Sequence, residues 1–402
     1  MSVYLHLPFC DRLCWFCGCH TKHTLKYEPI ARYCQSLVKE LALLAEELDF
    51  KPRLGQLHLG GGSPSLLRGE ELDQIRTALD LVFELDGDSE VSVEVDPSDV
   101  EELTISALMK FGTTRVSIGV QDFSSQVQAA INRPQTFEIT RDVVHAFRDA
   151  GIGSINIDAL YGLPLQSESR LLQTLEQRVR LNPDRMALFG YAHVPWLKKH
   201  QRMIRSEDLP GVTERFEHAQ SAAALLVDAG YAQIGIDHFA RPVDSLCKAA
   251  REGALRRNFQ GYTTDGHKAM FGLGASSIGR FAVGFVQNTV ATNQYEAEIA
   301  SGQLPKAKGL KLSDEDMLRG DVIERLMCDF SVDFSKLEHP VHLVEQCLAE
   351  ARGFTASNRF DLCSMDGTVF EIREAAKPFA RIIASRFDAY YWEGEFQYSK
   401  AV

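Results

Sequence analysis

Residues 3–19 read VYLHLPFCDRLCWFCGC, an apolar run that closes on four cysteines. Val3–Leu7 has the branched and aromatic content of a strand. The cysteines follow it at once as C-x3-C-x2-C-x-C, at Cys10, Cys14, Cys17 and Cys19. Thiolates are soft ligands suited to iron–sulfur clusters and zinc. Structural zinc prefers paired C-x2-C knuckles with a longer spacer, which are lacking here. Three close thiolates suit three corners of a cubane cluster and leave one iron open. Zinc stays as a minor alternative, and four unligated buried thiols in so short a loop as a poorer one.

Working outward, the same grammar repeats: a short β-rich run, then unusual polar residues. Strands are expected at Val3–Leu7, Gly55–Leu59, Val91–Val95, Arg115–Val120, Ser154–Leu160 and Arg185–Tyr191. Amphipathic stretches Tyr33–Leu48, Glu70–Phe83, Thr136–Ala150 and Glu168–Val179 fall between them at helical spacing. Strand and helix alternating six times imply an α/β fold with a parallel sheet, either a partial (β/α)6-type barrel or a doubly wound open sheet. Cys10, the Gly60–Ser63 loop, Glu94, Gln121, Asp158 and Tyr191 fall at or just after expected strand ends. A barrel gathers its active site on that face. The glycines of Gly60-Gly61-Gly62-Ser63-Pro64 suit close backbone approach and N–H donation to an anion, although an ordinary tight turn explains them as well.

Bulk properties set limits. Lys plus Arg number 43 against 55 Asp plus Glu, a formal charge of −12, which makes general nucleic-acid binding a poor reading. No apolar run approaches the roughly 18 residues that suggest a membrane span. The N-terminus does not read as a signal peptide. Nine cysteines without an export signal point to reduced thiols and a cytoplasmic location. Residues 1–240 are expected to form the barrel and 241–305 an extension with cavity-lining loops, among them Arg256–Thr264 and Phe271–Gly279. Residues 306–402 are expected to form a smaller, mostly helical C-terminal domain. Its one hairpin, Leu362–Ile372, turns at Asp366-Gly367, a type I′ signal.

The segments YLHLPFCDRLCWFCGCHT, LHLGGGSPS, SVEVDP, RVSIGVQDF, VQAAINRPQ, NIDALYGLP, FGYAHVP, DHFARP and RNFQGYTT together resemble one family of radical S-adenosylmethionine (SAM) enzymes. It is oxygen-independent coproporphyrinogen III dehydrogenase, and the resemblance covers nearly the whole chain. It implies that Cys10, Cys14 and Cys17 ligate a [4Fe–4S] cluster. Tyr4, Gly61 and Glu94 would bind a first SAM. A second SAM would be held by Phe16, Gly62, Ser63, Gln121, Arg133, Asp158, Ala192 and Ile278. A 5′-deoxyadenosyl radical made from SAM would start two oxidative decarboxylations, turning coproporphyrinogen III into protoporphyrinogen IX in heme biosynthesis. The implied partners are that substrate and a reducing donor such as flavodoxin or ferredoxin, and the implied state is a monomer.

Within the resemblance, Cys19 matches a fourth, non-ligating cysteine of the family, and Phe259 and Gln260 match its cavity lining. The substrate carries four carboxylates, so a basic cavity mouth is expected, with Lys198, His238, Arg241, Arg256 and Arg257 as candidates. The sequence departs from the pattern at Ser63 and Ser65, where threonine is usual, and at Gly190 and Trp196, both expected near the cavity. Family members usually carry several dozen residues before the first barrel strand, a segment that helps close the site. Here that strand begins at Val3, and a wrongly placed start codon, a truncated paralogue and an altered activity are the readings left open. The alternatives are a heme-binding trafficking protein on the same fold and a related radical SAM enzyme acting on heme.

Overall fold

The computed structural model describes residues 1–391; residues 392–402, the end of the expected C-terminal domain, lie outside the described residues. Its centre is built from Ser2–Leu7 (β1), Gln56–Gly61 (β2), Glu90–Val95 (β3), Arg115–Gln121 (β4), Ser154–Tyr161 (β5) and Arg185–Gly190 (β6). These pair in chain order and every pair is parallel. The crossovers carry Glu28–Glu47 (α1), Gly69–Val82 (α2), Glu102–Phe111 (α3), Ser125–Ala130 (α4), Phe137–Asp149 (α5) and Glu168–Arg180 (α6). Helix α1 begins at Glu28, earlier than its apolar spacing predicts, because Pro29 fits the first turn, where its missing N–H costs nothing.

Strands β1 and β6 do not pair, so the six strands form a partial barrel. Beyond β1 the sheet continues through Met270–Leu273, parallel, and then Ile278–Phe281, Gly284–Asn288 and Lys306–Lys311, antiparallel. Beyond β6 it continues through His238–Ala240 and Ala232–Ile234. The segment Phe271–Gly279, expected as loop, therefore supplies parts of two strands. Its glycines mask the strand signal, and pairing with β1 overrides them. Arg256–Thr264 is likewise a hairpin, Arg256–Asn258 against Gly261–Thr263.

Side-chain alternation divides the sheet into two faces. Leu5, Leu57, Leu59, Val91, Val93, Val116, Ile118, Ile155 and Ile157 face the helices and are almost fully buried. Each such side chain contributes about 1.5–3 kcal/mol relative to exposure. That face carries the packing and leaves the inward residues free to be polar.

One buried polar knot ties the extension to the barrel. Glu40 of α1 is buried and accepts from the Gly274 N–H at 2.7 Å, Asn288 Nδ2 at 2.6 Å and the Tyr295 hydroxyl at 2.7 Å. Burial pushes its pKa from 4.5 up to about 7, against the pull of these three donors. The folded state thus holds a proton that the unfolded chain releases above 4.5. Stability from this group falls as pH rises from 4.5 to about 7. Glu40→Ala is expected to cost roughly 3 kcal/mol, because three buried donors lose their acceptor. Glu40→Gln should flatten the pH dependence between pH 5 and 7. Thermal melts of the variants across that range check both.

The C-terminal unit has its own core, including Leu318, Leu326, Phe334, Phe370 and Phe387, under helices Asp314–Cys328 and Val341–Ser357. The hairpin appears as Cys363–Asp366 and Val369–Ile372. Of its two loop residues only Gly367 has positive φ, at 59°, the pattern of a type II′ rather than a type I′ turn. Thr368, a β-branched residue, disfavours the second left-handed position that type I′ demands. Among the described residues no helix is long and apolar enough to cross a membrane.

Candidate active site

The cysteine loop leaves β1 and is pinned from several sides. Ser63 N–H donates to the Phe9 carbonyl and Gly62 N–H to that of Leu7, each at 2.7 Å. Trp15 N–H donates to Ile131 O at 3.0 Å, and Asn132 Nδ2 to Leu13 O at 2.9 Å. Gln201 Nε2 donates to Phe16 O at 3.0 Å, His200 bonds Cys17 O at 2.7 Å, and Lys198 Nζ donates to Cys19 O at 3.0 Å. The loop is thus fixed largely through its backbone.

The glycine loop works differently from expectation. The N–H groups of Gly62 and Ser63 hold the cysteine strand, and that of Gly61 donates to Glu94 Oε2 at 3.0 Å, so none of the three waits for an external anion. The glycines are needed for space. A Cβ on Gly62 would lie 2.4 Å from the Phe9 carbonyl oxygen. One on Gly61, at φ +109°, would strike the His6 ring at 2.5 Å.

Inside the barrel lies a cavity of about 970 Å³. Its wall is the inward half of each strand: Tyr4 and His6, Gln56 and His58, Glu90, Ser92 and Glu94, Arg115 and Ser117, Asn156 and Asp158, then Arg185, Ala187 and Phe189. A closed barrel would pack this space with side chains; here it is left unfilled, with polar side chains from every strand among its lining. Tyr4 stacks on His58, with ring centres 5.8 Å apart, and meets the edge of Phe259 at 4.9 Å. Burial alone would raise the pKa of Glu94, but the His58 contact at 3.1 Å and the Gly61 N–H hold it below the usual carboxylate value. Asp158 is the opposite case: burial raises it despite Ser117 and Asn156, each bonding it at 2.8 Å.

The structure sorts the expected site residues into two groups. Tyr4, Gly61, Glu94, Asp158 and Ile278 line the cavity, with Cys19, Phe259 and Gln260. Asp158 lies in mid-strand rather than at a strand end, because β5 runs on to Tyr161. Cys10, Cys14, Cys17, Phe16, Gly62, Ser63, Gln121, Arg133 and Ala192 lie outside that lining. Arg133 does not present a free fork: it pairs with Asp96 at 3.0 Å, donates to Gly119 O at 2.9 Å and reaches the Cys14 sulfur at 3.5 Å. Gln121 sits at φ +61° beside a register shift in β4. Phe16 packs with Val127, Ile131 and Tyr191, and the Ala192 carbonyl accepts from Gln201 at 3.1 Å.

Of the basic candidates, Arg257 and His238 line the cavity. Arg241 lies over Tyr231, Arg256 pairs with Glu324 at 3.5 Å, and Lys198 holds Cys19 O. Sequence reasoning missed Arg115 and Arg185, which line the cavity and pair with Glu90 at 2.6 Å and Asp244 at 2.9 Å. Their signal was the charge at the first residue of β4 and of β6, in phase with Ser117 and Ala187. Gly190 borders a second cavity, of about 690 Å³, between the barrel and the C-terminal unit.

A partial parallel barrel with clustered thiols beside a polar interior is the architecture of a radical SAM protein, and residues 4–177 match the family model described as the Radical SAM superfamily. The oxygen-independent coproporphyrinogen III oxidase of Cereibacter sphaeroides is 43% identical over 402 residues, spanning all of this chain and 89% of that one. Its Helicobacter pylori counterpart is 39% identical, with the same coverage. The solved coproporphyrinogen III oxidase of Escherichia coli, described as a radical SAM enzyme, superposes with a TM-score of 0.91 at 35% identity, covering 97% of this chain and 90% of that one. The chain therefore belongs to the oxygen-independent coproporphyrinogen III oxidase family.

Membership implies a [4Fe–4S] cluster and SAM, and the residues present fit them. Among the described residues no three His, Cys, Asp or Glu side chains converge on a single ion. A cubane asks for something else, one thiolate per corner, and so for thiols that are grouped but spread. Cys10, Cys14 and Cys17 meet this: Cys17 is close enough to raise the thiol pKa of both Cys10 and Cys14, and Cys14 that of Cys10. Burial pushes the Cys10 thiol up to about 12, while the bond from Cys19 holds Cys17 down to about 7.

Proposed function

We propose that this protein carries out oxygen-independent oxidative decarboxylation of coproporphyrinogen III to protoporphyrinogen IX. The observation that carries the reading is the meeting of a three-thiol loop and a large polar cavity at one side of the barrel, with Tyr4, Gly61 and Glu94 at their junction. Cys10, Cys14 and Cys17 would hold the cluster. When bound, cluster and SAM supply the radical chemistry that removes hydrogen from a propionate side chain.

The chain's own residues do the rest. Glu94, an ionised acceptor at the cavity wall, suits the amino group of a first SAM, with the Tyr4 ring beside it. The second SAM would draw on Phe16, Gly62, Ser63, Gln121, Arg133, Asp158, Ala192 and Ile278. Arg133 would serve that site from its place against Asp96 and Cys14, where it also balances charge beside the cysteine loop. The barrel wall keeps bulk water from the reacting centre. The relatives' names favour the oxidase over a heme-trafficking role or action on heme. A cytoplasmic monomer fed by flavodoxin or ferredoxin completes the reading.

The test is anaerobic. The reconstituted protein, given dithionite, SAM and coproporphyrinogen III, should yield both 5′-deoxyadenosine and protoporphyrinogen IX by mass spectrometry. Deoxyadenosine without porphyrin product would assign another substrate. Cys19 gives an independent check. It is exposed and lines the cavity, and its backbone N–H donates to the Cys17 sulfur at 3.4 Å. Cys19→Ser is expected to retain its iron while altering turnover. Iron analysis decides this, and loss of the cluster would make Cys19 a ligand.

A further inference from the structure

Buried polar atoms without a partner mark places where something is missing. Two of them belong to one cavity-lining hairpin: Nε of Arg257 and Nε2 of Gln260. Both are hydrogen-bond donors, and two unpartnered donors on one hairpin call for an acceptor between them.

The local charge points the same way. Arg257 Nη2 touches Asp237 at 3.4 Å, and the guanidinium lies 5.1 Å from the Tyr262 ring centre. Asp237 is already shared: His238 bonds it at 2.8 Å and Arg381, from the C-terminal unit, at 2.6 Å. Two guanidiniums thus divide one carboxylate. The other arginines differ. Arg115 also has an unpartnered Nε but keeps Glu90 to itself at 2.6 Å, and Arg185 grips both oxygens of Asp244 at 2.9 Å. Arg280 is exposed. Of the cavity's buried or half-buried guanidiniums, Arg257 has the least compensated charge.

Position completes the case. Phe259, between Arg257 and Gln260 in the chain, packs its ring on Tyr4, a proposed wall of the first SAM. An anion held by this hairpin would lie next to the reacting centre. We propose that Arg257 and Gln260 form a carboxylate subsite that receives a propionate of the tetrapyrrole, an inference that rests on the substrate proposed above. Asp237 positions Arg257 from behind and links the subsite to the C-terminal unit through Arg381.

The test compares the reconstituted wild type with Arg257→Met, Arg257→Lys and Gln260→Leu. Arg257→Met should raise KM for coproporphyrinogen III about tenfold or more, the loss of a charge-assisted pair, with iron content and KM for SAM unchanged. Arg257→Lys, which keeps the charge but not the fork, should fall between, and Gln260→Leu should give a smaller rise. Fluorescence titration with coproporphyrin III and its tetramethyl ester supplies a second reading. The Arg257→Met penalty should appear with the acid and vanish with the ester. An unchanged KM in Arg257→Met, or an equal penalty for acid and ester, overturns the subsite. A wild type that binds the porphyrin acid but does not turn over coproporphyrinogen III would instead overturn the function while the titration still judges the subsite.

Discussion

Cys14→Ala should come out of anaerobic reconstitution without its cluster and without detectable turnover, while the apo forms of variant and wild type melt alike. Cys14 is buried, at 8% exposure, and lies against the Arg133 guanidinium, whose Nη1 reaches its sulfur at 3.5 Å. Burial raises the thiol's pKa, and Arg133 opposes that rise through charge and hydrogen bond. A thiolate there is therefore stabilised by a cation in direct contact, one that also lowers the thiol pKa of Cys17. With Cys14 removed, Cys10 and Cys17 would leave two of the cubane's irons without a protein thiolate, and such a cluster is open to solvent and loss. The truncation itself is small, and the loop keeps the backbone bonds of Trp15, Phe16 and Cys17, so little folding stability should go with it. Iron and sulfide analysis, the electron paramagnetic resonance of the dithionite-reduced protein and a porphyrin assay read the outcome together. Iron retained with turnover intact would end the assignment of Cys14 as a ligand.

The sequence carried the strands and the thiols but not the inside of the barrel. The six parallel strands were legible because each is a short β-rich run followed by an amphipathic helix, a local pattern. The alternation Val91-Ser92-Val93-Glu94-Val95 was equally visible, yet it reads alone as a strand half exposed to water. Only the curvature of the sheet turns Ser92 and Glu94 toward a cavity and Val91 and Val93 toward helices. Arg115 and Arg185 were missed for that reason. The Gly60–Ser63 loop was legible as a close-approach turn, but nothing local tells that Leu7 and Phe9 will claim the N–H groups of Gly62 and Ser63. The ion pair of Arg133 was hidden similarly: its partner Asp96 lies 37 positions away and arrives from the end of another strand. Pairings between distant segments also hid Met270–Leu273, whose strand character depends on β1 beside it.

Glu94→Gln separates the roles that cluster loss would blur. The substitution keeps the size of the side chain, and an amide oxygen can still accept from the Gly61 N–H that now bonds Oε2 at 3.0 Å. What it removes is the negative charge, held in place by His58 at 3.1 Å and kept ionised against the cost of burial. If Glu94 receives the amino group of SAM, one charge-assisted hydrogen bond becomes a neutral one. That is a loss of about 1.5–3 kcal/mol, or roughly 10- to 100-fold in affinity. The cluster should form normally, because no cysteine bond changes, so iron content and the spectrum without SAM should match the wild type. KM for SAM should rise by that factor, and deoxyadenosine and porphyrin product should fall in step at limiting SAM. Because the pKa of Glu94 is held below 4.5, this carboxylate should add no titration to wild-type SAM binding between pH 5 and 8. Equal SAM affinity in the two proteins would relegate Glu94 to bracing Gly61 and His58. Its place between the glycine loop and the cavity would then serve the shape of the site rather than the grip on its cofactor.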